Sequence, residues 1–277
     1  MKRREEYIHI PNIVYKHINN HNLCFDCYLP KKDDQKFPWI VFFHGGSWKN
    51  GTRKKMSHFR GLVENGFAVF SVSYRFIDEA GFPSPLEDCR DALSYILRNA
   101  NEYNLDASRL GLFGSSAGGH LAALTALADG CHELGFDKRF NIKCLSTLYA
   151  PSDFYELPKM LSYYETEDWS NHFGTIRKLM GGHAKDIPKI YRLASPVYHV
   201  SYGAPPILLI HGLQDAVVPY AHSLRMKEKY EKYAAFAELL SIDNCNHSFL
   251  RRNVFKPINP SIAQINEQVV AFFSRHL

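Results

Sequence analysis

The sequence contains no long run of apolar residues, and this lack leads us to expect neither a membrane-spanning nor a secreted protein. No stretch approaches the roughly 20 consecutive apolar residues that a membrane-spanning helix requires. Residues 1–11, MKRREEYIHIP, begin with charged residues but lack the apolar segment that forms the core of a signal peptide. We therefore expect a cytoplasmic protein with no membrane partner.

Concentrated positive charge and clustered cysteines are lacking as well. The net charge of +5 is spread thinly, and the short basic runs Lys2–Arg4 and Arg53–Lys55 are typical of solvated surface rather than of a nucleic-acid-binding stripe. The cysteines are scattered, mostly among apolar neighbours, which indicates reduced thiols and not a disulfide framework. We expect no nucleic-acid partner.

One group of residues has the composition of a metal site. His17, His21, Cys24 and Cys27 together resemble a zinc-binding set. The simpler interpretation of residues 23–30 is a strand, because no second cysteine pair completes a closed site of four ligands. We therefore expect no structural zinc here.

What the sequence has in quantity is short apolar runs that alternate with amphipathic stretches. Its 277 residues, 45% of them hydrophobic, fit one large domain over residues 1–277. The predicted strands are 38–43, 67–74, 109–113, 142–149, 206–210 and 236–242, and the predicted helices are 57–65, 86–100, 121–128, 220–233 and 260–276. This order predicts an α/β fold with a mostly parallel central sheet and helices on both faces. Residues 8–15 and 23–29 are predicted to add an antiparallel N-terminal edge.

The segment from about residue 151 to 202 interrupts the alternation. It is rich in aromatic residues, which are Phe154, Tyr155, Tyr163, Tyr164, Trp169, Phe173 and Tyr191. A connection this long is often a lid or a binding element, so we expect a lid-like insert. The aromatic rings either form one wall of a pocket or pack the insert onto the sheet.

A glycine-flanked serine lies between a predicted strand and a predicted helix. In Gly114-Ser115-Ser116-Ala117-Gly118, Ser116 has glycine two residues before it and two residues after it, whereas Ser115 does not. A strained turn in this setting lifts the serine hydroxyl clear of the sheet, and glycines allow the crowded backbone to pass. The sequence favours Ser116 as a nucleophile over Ser115 and over a phosphate-binding turn.

A second glycine turn follows the first predicted core strand. His44-Gly45-Gly46-Ser47-Trp48 places backbone N–H groups where an oxyanion would need hydrogen-bond donors. We assign the N–H groups of Gly45, Gly46 and Ala117 to an oxyanion hole. His44 precedes the nucleophile in the chain, so we interpret it as a packing residue and not as the general base.

The nucleophile needs a base, and the base needs a carboxylate that holds its tautomer. Asp215 and His247 each come five residues after a predicted strand, in the order serine, acid, histidine that suits this fold. Both belong to loops at the carboxyl edge of the sheet, as Ser116 does. We therefore predict Ser116, Asp215 and His247 as the catalytic residues.

Other acids and histidines compete for these roles. Asp153 and Asp243 follow predicted strands and remain alternative acids. His120, His211 and His222 lie near the predicted site, but each falls within a helix or at the end of a strand. We interpret these three histidines as structural.

Five segments together resemble a known family. Residues 44–48 (HGGSW), 73–75 (SYR), 114–122 (GSSAGGHLA), 211–219 (HGLQDAVVP) and 246–249 (NHSF) resemble the esterase branch of the α/β-hydrolase fold, in its hormone-sensitive-lipase-like and acetyl- or feruloyl-esterase-like members. The resemblance covers about residues 20–277 and implies the same catalytic and oxyanion residues. Ser47 departs from the HGGG pattern and is similar to a smaller group that includes carbohydrate esterases and formamidase-like enzymes. The family implies no metal and no organic cofactor.

The resemblance and the residue pattern together predict a serine carboxylic-ester hydrolase. The expected partner is a small-molecule ester with a short acyl chain, and acylated carbohydrates are one candidate class. Two alternatives remain open. One is an amide-cleaving relative, either an arylformamidase or a small peptidase, and the other is a non-catalytic receptor with a hydrolase fold.

Overall fold

Eight strands form one mixed sheet in the computed structural model, which describes residues 7–18, 21–31, 35–137, 140–157 and 167–277, with backbone alone for 167–173. The strands are β1 (Tyr7–Ile18), β2 (His21–Pro30), β3 (Phe37–Phe43), β4 (Ala68–Val72), β5 (Leu105–Ser115), β6 (Ile142–Leu148), β7 (Ile207–Gly212) and β8 (Ala237–Ile242). Their order across the sheet is β1-β2-β4-β3-β5-β6-β7-β8.

The helices that cover this sheet follow the strands along the chain. They are α1 (Arg60–Glu64), α2 (Ser84–Arg98), α3 (Ala117–Leu127), α4 (Glu167–Met180), α5 (Pro188–Leu193), α6 (Ala221–Lys232) and α7 (Ile262–His276). The pairs β1–β2 and β2–β4 are antiparallel, and every pairing from β4 through β3 to β8 is parallel. The predicted α/β fold with an antiparallel N-terminal edge is confirmed.

Apolar side chains of the central strands point alternately to two cores. Along β3, Trp39 and Val41 enter the core beneath α2 and α3, whereas Ile40 and Phe42 enter the core beneath α1 and α7. All four are buried. Strands that are buried on both faces carry nearly continuous apolar sequence, which explains why β3 is so hydrophobic.

Two boundaries near Ser116 differ from the predicted ones. Strand β5 extends to Ser115, although its predicted end was Phe113, and α3 begins at Ala117 instead of Leu121. The first turn of α3 contains two consecutive glycines, Gly118 and Gly119, which are poor helix formers, so propensity placed the start too late. Burial of the whole segment from Ala117 to Ala126 supplies the stabilisation that propensity lacks.

The described part of the 151–202 segment packs against the core. Phe154 and Tyr191 are buried on the α2/α3 side of the sheet, as the packing interpretation expects. Tyr163 and Tyr164 lie outside the described residues, and so do the side chains of Trp169 and Phe173. The lid-like insert stays a prediction, and so does the single domain over residues 1–277.

The residues of the zinc-like set lie along the β1–β2 hairpin with other neighbours. His17 Nδ1 is 2.8 Å from the side-chain oxygen of Asn22, and His21 Nε2 is 2.9 Å from a Glu79 carboxylate oxygen. Cys27 is buried in the core, and all six cysteines are free thiols. Within the described ranges, no helix combines the length and the apolarity needed to cross a bilayer.

Candidate active site

Ser116 occupies a strained turn between β5 and α3. Its backbone has φ 51° and ψ −122°, a left-handed conformation that costs a residue with a side chain about 1–3 kcal/mol. The turn is held by the Ser116 N–H, which donates to Leu148 O at 2.8 Å, and by the His120 N–H, which donates to Ser116 O at 3.0 Å. The backbone therefore presents the Ser116 hydroxyl above the end of the sheet.

Glycine is required on both sides of this turn because backbone segments touch there. A Cβ atom on Gly114 would lie 2.3 Å from Gly118 O, and one on Gly118 would lie 2.1 Å from Phe43 O. Both distances are far below any real contact, so no other residue fits without moving the backbone. The glycines that flanked Ser116 in the sequence are needed for packing.

A chain of hydrogen bonds joins the three predicted catalytic residues. Ser116 Oγ is 3.1 Å from His247 Nε2, and His247 Nδ1 is 2.8 Å from Asp215 Oδ2. The other oxygen of Asp215 accepts the N–H groups of Val217 and Val218, both at 2.9 Å. The loops that follow β5, β7 and β8 thus bring these residues together at the carboxyl edge of the sheet.

Asp215 is buried and remains ionised. Burial opposes its ionisation, but hydrogen bonds from His211 and His247 outweigh burial and hold the pKa of Asp215 well below its ordinary value. A permanent carboxylate beside Nδ1 keeps a proton on that nitrogen and leaves Nε2 free to accept one from Ser116. The geometry and the charge together suit a general base at His247.

His211 contributes a contact to Asp215 that the sequence alone did not reveal. Its buried ring places Nε2 2.7 Å from Val218 O and 3.3 Å from Asp215 Oδ2, and Nδ1 lies 2.7 Å from Ser223 Oγ. A carbonyl oxygen can only accept, so Nε2 carries the hydrogen and points it at both oxygens. The spacing of four residues between His211 and Asp215 at the end of β7 was the available signal.

The competing acids have other partners. The Asp153 carboxylate binds the Arg225 guanidinium and accepts the N–H groups of Tyr155 and Glu156. Asp243 is exposed, and its nearest side-chain contact is the amide of Gln214 at 3.5 Å. Among the described residues, Asp215 is thus the acid that contacts His247.

The competing histidines also have other partners. His120 Nε2 is 2.7 Å from Ala194 O, and His222 Nδ1 accepts the N–H group of Ser152 at 3.1 Å. Both rings are buried. Of the three histidines interpreted as structural, His211 alone has its ring in contact with a side chain of the candidate triad in the described part of the chain.

The loop after β3 brings the predicted oxyanion donors beside Ser116. A Cβ atom on Gly45 would lie 3.2 Å from Ser116 Cβ, which shows how closely the two segments approach. In the described part of the chain, the N–H groups of Gly45, Gly46 and Ala117 donate to no other group. These donors are therefore free to bind a substrate oxygen.

His44 shapes this loop as a neutral residue. Its ring stacks on Tyr74 with centroids 4.7 Å apart, its Nδ1 is 2.8 Å from Gly45 O, and its own carbonyl oxygen accepts the Tyr74 hydroxyl at 2.7 Å. Burial lowers the pKa of His44 to about 4. At neutral pH the ring thus holds the glycine turn in place without adding charge.

Tyr149 follows β6 and packs against the candidate base. Its buried ring lies 4.7 Å from the His247 ring. Burial raises the pKa of Tyr149 to about 12, so the hydroxyl keeps its proton. The Ser115 side chain is buried, whereas Ser116 Oγ lies 3.1 Å from His247 Nε2. No sequence motif marked Tyr149.

A cavity of about 350 Å³ opens above Ser116 and His247. Gly45 and Gly46 form part of its wall, so one bound molecule could contact Ser116, His247 and this glycine turn at once. The volume is at the small end of the range for ligand pockets, which is about 300–1,000 Å³.

The amino-acid sequence of this chain is similar to those of named esterases. The chain is 27% identical over 230 residues to the isoprenylcysteine alpha-carbonyl methylesterase ICME of Arabidopsis thaliana, an alignment that covers 81% of this chain and 53% of that protein. It is 28% identical over 225 residues to the esterase LipQ of Mycobacterium tuberculosis, with 78% and 51% covered. The chain thus spans about half the length of these relatives.

Solved structures share the fold over nearly the whole chain. A truncated carbohydrate esterase from gut microbiota superposes with a TM-score of 0.81 at 25% identity, and the match covers 99% of this chain and 98% of that one. The propionate-bound esterase Est2 of Thermogutta terrifontis superposes with a TM-score of 0.76 at 21% identity, with 98% and 94% covered. The second likeness shows the fold alone.

A sequence model of one protein family, described as BD-FAE, matches residues 25–230, which is well over half of the chain. The matched range contains Ser116 and Asp215 but ends before His247, whose place in the site rests on the geometry above. The resemblance to the α/β-hydrolase esterases is confirmed, and this chain belongs to the BD-FAE family.

Proposed function

We propose that this protein hydrolyses carboxylic esters of small molecules, with Ser116 as the nucleophile. The observation that carries the proposal is the hydrogen-bond chain from Ser116 through His247 to Asp215. Membership of the BD-FAE family and the similarity to named esterases support it. A serine hydroxyl is a weak nucleophile until an oriented base removes its proton, and this chain of contacts supplies that base.

The first half of the proposed reaction forms an acyl-enzyme. His247 Nε2 takes the hydroxyl proton while Ser116 Oγ attacks the ester carbonyl, and the oxyanion that forms accepts hydrogen bonds from Gly45, Gly46 and Ala117. His247 then returns the proton to the leaving alcohol, and the C–O bond breaks. Loss of one oxyanion donor typically lowers kcat about 10²- to 10³-fold.

The second half returns the enzyme to its starting state. Water loses a proton to His247 as it attacks the acyl carbonyl, and the collapse of the second intermediate releases the acid and restores the Ser116 hydroxyl. Asp215 stabilises the imidazolium in both halves, because its carboxylate stays charged. No cofactor is needed for either step.

We propose short-chain acyl esters as the substrate class, with acylated carbohydrates among them. The cavity of about 350 Å³ supports a small substrate, and the similar gut-microbiota structure is named a carbohydrate esterase. The test is hydrolysis of p-nitrophenyl acetate together with labelling of the active-site serine by a fluorophosphonate probe. We expect turnover and labelling in the native chain and neither in Ser116→Ala.

Three results would refute the proposal. Full activity in Ser116→Ala would exclude Ser116 as the nucleophile. A native chain that is neither labelled nor active on any ester would instead favour the non-catalytic receptor, and faster cleavage of N-formylkynurenine than of any ester would favour the amide-cleaving alternative. Ser115→Ala is the matched control, and we expect it to keep fluorophosphonate labelling.

A further inference from the structure

One wall of the cavity is built from polar side chains of a single loop. We call it the polar wall: Ser47, Asn50, Thr52, Lys55 and His58, all between β3 and α1, line the same cavity as Ser116 and His247. Each of these side chains can donate a hydrogen bond to a ligand. The ester carbonyl needs none of them, because the backbone N–H groups already serve it.

The polar wall is held in place by contacts to the antiparallel edge of the sheet. Arg53, half-buried within the same loop, places Nε 2.8 Å from the buried carboxylate of Asp26 on β2 and Nη1 3.1 Å from Ser73 Oγ. Met56 lies three residues after Arg53, and its Sδ atom accepts a hydrogen bond from the Tyr7 hydroxyl at 3.3 Å. A loop fixed on both sides of Lys55 can present that residue in a defined position.

The wall carries one positive charge. Lys55 is exposed where it lines the cavity and makes no ion pair within the described part of the chain, and the ring nitrogens of His58 have no hydrogen-bond partner there. Burial, assisted by the charge of Lys55, lowers the pKa of His58, so that ring is neutral at neutral pH. No carboxylate is present among the described residues that line the cavity.

We propose that the polar wall binds an anionic group of the substrate, so that the preferred ester carries a carboxylate or a similar anion within reach of Lys55. This inference rests on the proposed ester hydrolysis and narrows its substrate class. An unpaired lysine in a partly enclosed site, with neutral donors around it and no competing carboxylate, attracts negative charge more strongly than an open surface does. Within the basic run predicted to be solvated surface, Lys54 and Lys55 are exposed as expected, whereas Arg53 is half-buried and anchors the loop. The proposal adds a ligand contact at Lys55.

The test uses two pairs of esters that differ in charge. In the first pair, 4-acetoxybenzoate carries the charge on the leaving alcohol and methyl 4-acetoxybenzoate is neutral. In the second pair, mono-4-nitrophenyl glutarate carries the charge on the acyl group and 4-nitrophenyl pentanoate is neutral. Values of kcat/KM are measured for the native chain, Lys55→Gln, Lys55→Arg and Lys54→Gln. Lys54 is the matched control, because it is exposed in the same loop and lies outside the cavity lining.

We expect Lys55→Gln to lower kcat/KM for the charged member of at least one pair by about three- to tenfold. The neutral member should change by less than about twofold in the same variant, because it has no charge to lose. Lys55→Arg should keep the preference, Lys54→Gln should leave both members unchanged, and added salt should weaken the preference in the native chain.

The inference is overturned if Lys55→Gln affects both members of each pair equally or affects neither. In that case the native chain would still cleave all four esters and Ser116→Ala would not, so the proposed hydrolysis would stand. Failure of the native chain to cleave any of the four would refute the proposed function itself. The two failures are therefore distinguishable in one set of measurements.

Discussion

Acidification from pH 7 to pH 5 probes the environment of three buried histidines. Burial lowers the pKa of His44 and of His120 to about 4, and that of His222 to about 3. A histidine in an unfolded chain has a pKa of about 6.5. Each ring therefore stays neutral in the folded protein at pH 5 and gains a proton when the chain unfolds.

The direction of the effect follows from these values. Because the folded-state pKa lies below the unfolded-state pKa, the stabilisation is fully present above about pH 6.5 and is lost as the pH falls toward the folded-state values. At pH 5 each ring lowers the free energy of unfolding by about 2 kcal/mol, and the three together by about 6 kcal/mol. Total stability is typically about 5–15 kcal/mol, so a large part is lost.

The assay is urea unfolding followed by circular dichroism at pH 7, 6 and 5. His120→Gln should remove about 2 kcal/mol of the pH dependence, because Gln can still donate to Ala194 O but takes up no proton. His132→Gln is the matched control, since the His132 side chain is 85% exposed. A free energy of unfolding that changes by less than about 1 kcal/mol from pH 7 to pH 5 would refute the reasoning.

Three substitutions test the candidate site directly. Asp215→Asn should lower kcat for p-nitrophenyl acetate about 10³- to 10⁴-fold by favouring the wrong tautomer of the base, and near-native kcat would exclude this acid. His211→Phe should lower kcat about tenfold and the free energy of unfolding by about 1–3 kcal/mol, because the Val218 carbonyl loses its partner. Kinetics measures the first effect and calorimetry the second. An unchanged kcat would mean that the His211 ring does not position Asp215. Gly118→Ala should cost about 3 kcal/mol or more, because its Cβ would overlap the carbonyl at the end of β3. Gly174→Ala is the control on open helix surface, and similar melting temperatures for the two variants would contradict the packing argument.

The parts of the site that short segments encode were predictable from the sequence. Ser116 lies in a strand-turn-helix pattern, and the order of the loops placed Asp215 and His247 at the same edge of the sheet. In a parallel sheet, every carboxyl end reaches one edge, so correct strand assignments are enough to group the residues. Hydrogen bonds of 2.8 Å and 3.1 Å match that grouping.

The parts that depend on distant partners were not predictable. Arg53 was predicted to be solvated surface because its partner, Asp26, is distant in the sequence. Only the folded chain brings the Arg53 loop against β2, where Arg53 Nε lies 2.8 Å from Asp26 Oδ1. Tyr149 has no motif, and its packing against His247 depends on how two separate loops meet. The start of α3 was placed too late because tertiary burial overrides intrinsic helix propensity there.

The position of β8 at the edge of the sheet links activity to local unfolding. This strand pairs with β7 alone within the described part of the chain, and its residues from Ala237 to Ser241 are half-buried, unlike those of the central strands. Edge strands open at lower free energy than the core, and their amides exchange hydrogen sooner. His247 follows this strand, so fraying at the edge would withdraw the proposed base while Ser116 and the core remain native. Mild denaturant should therefore abolish turnover before the global transition begins.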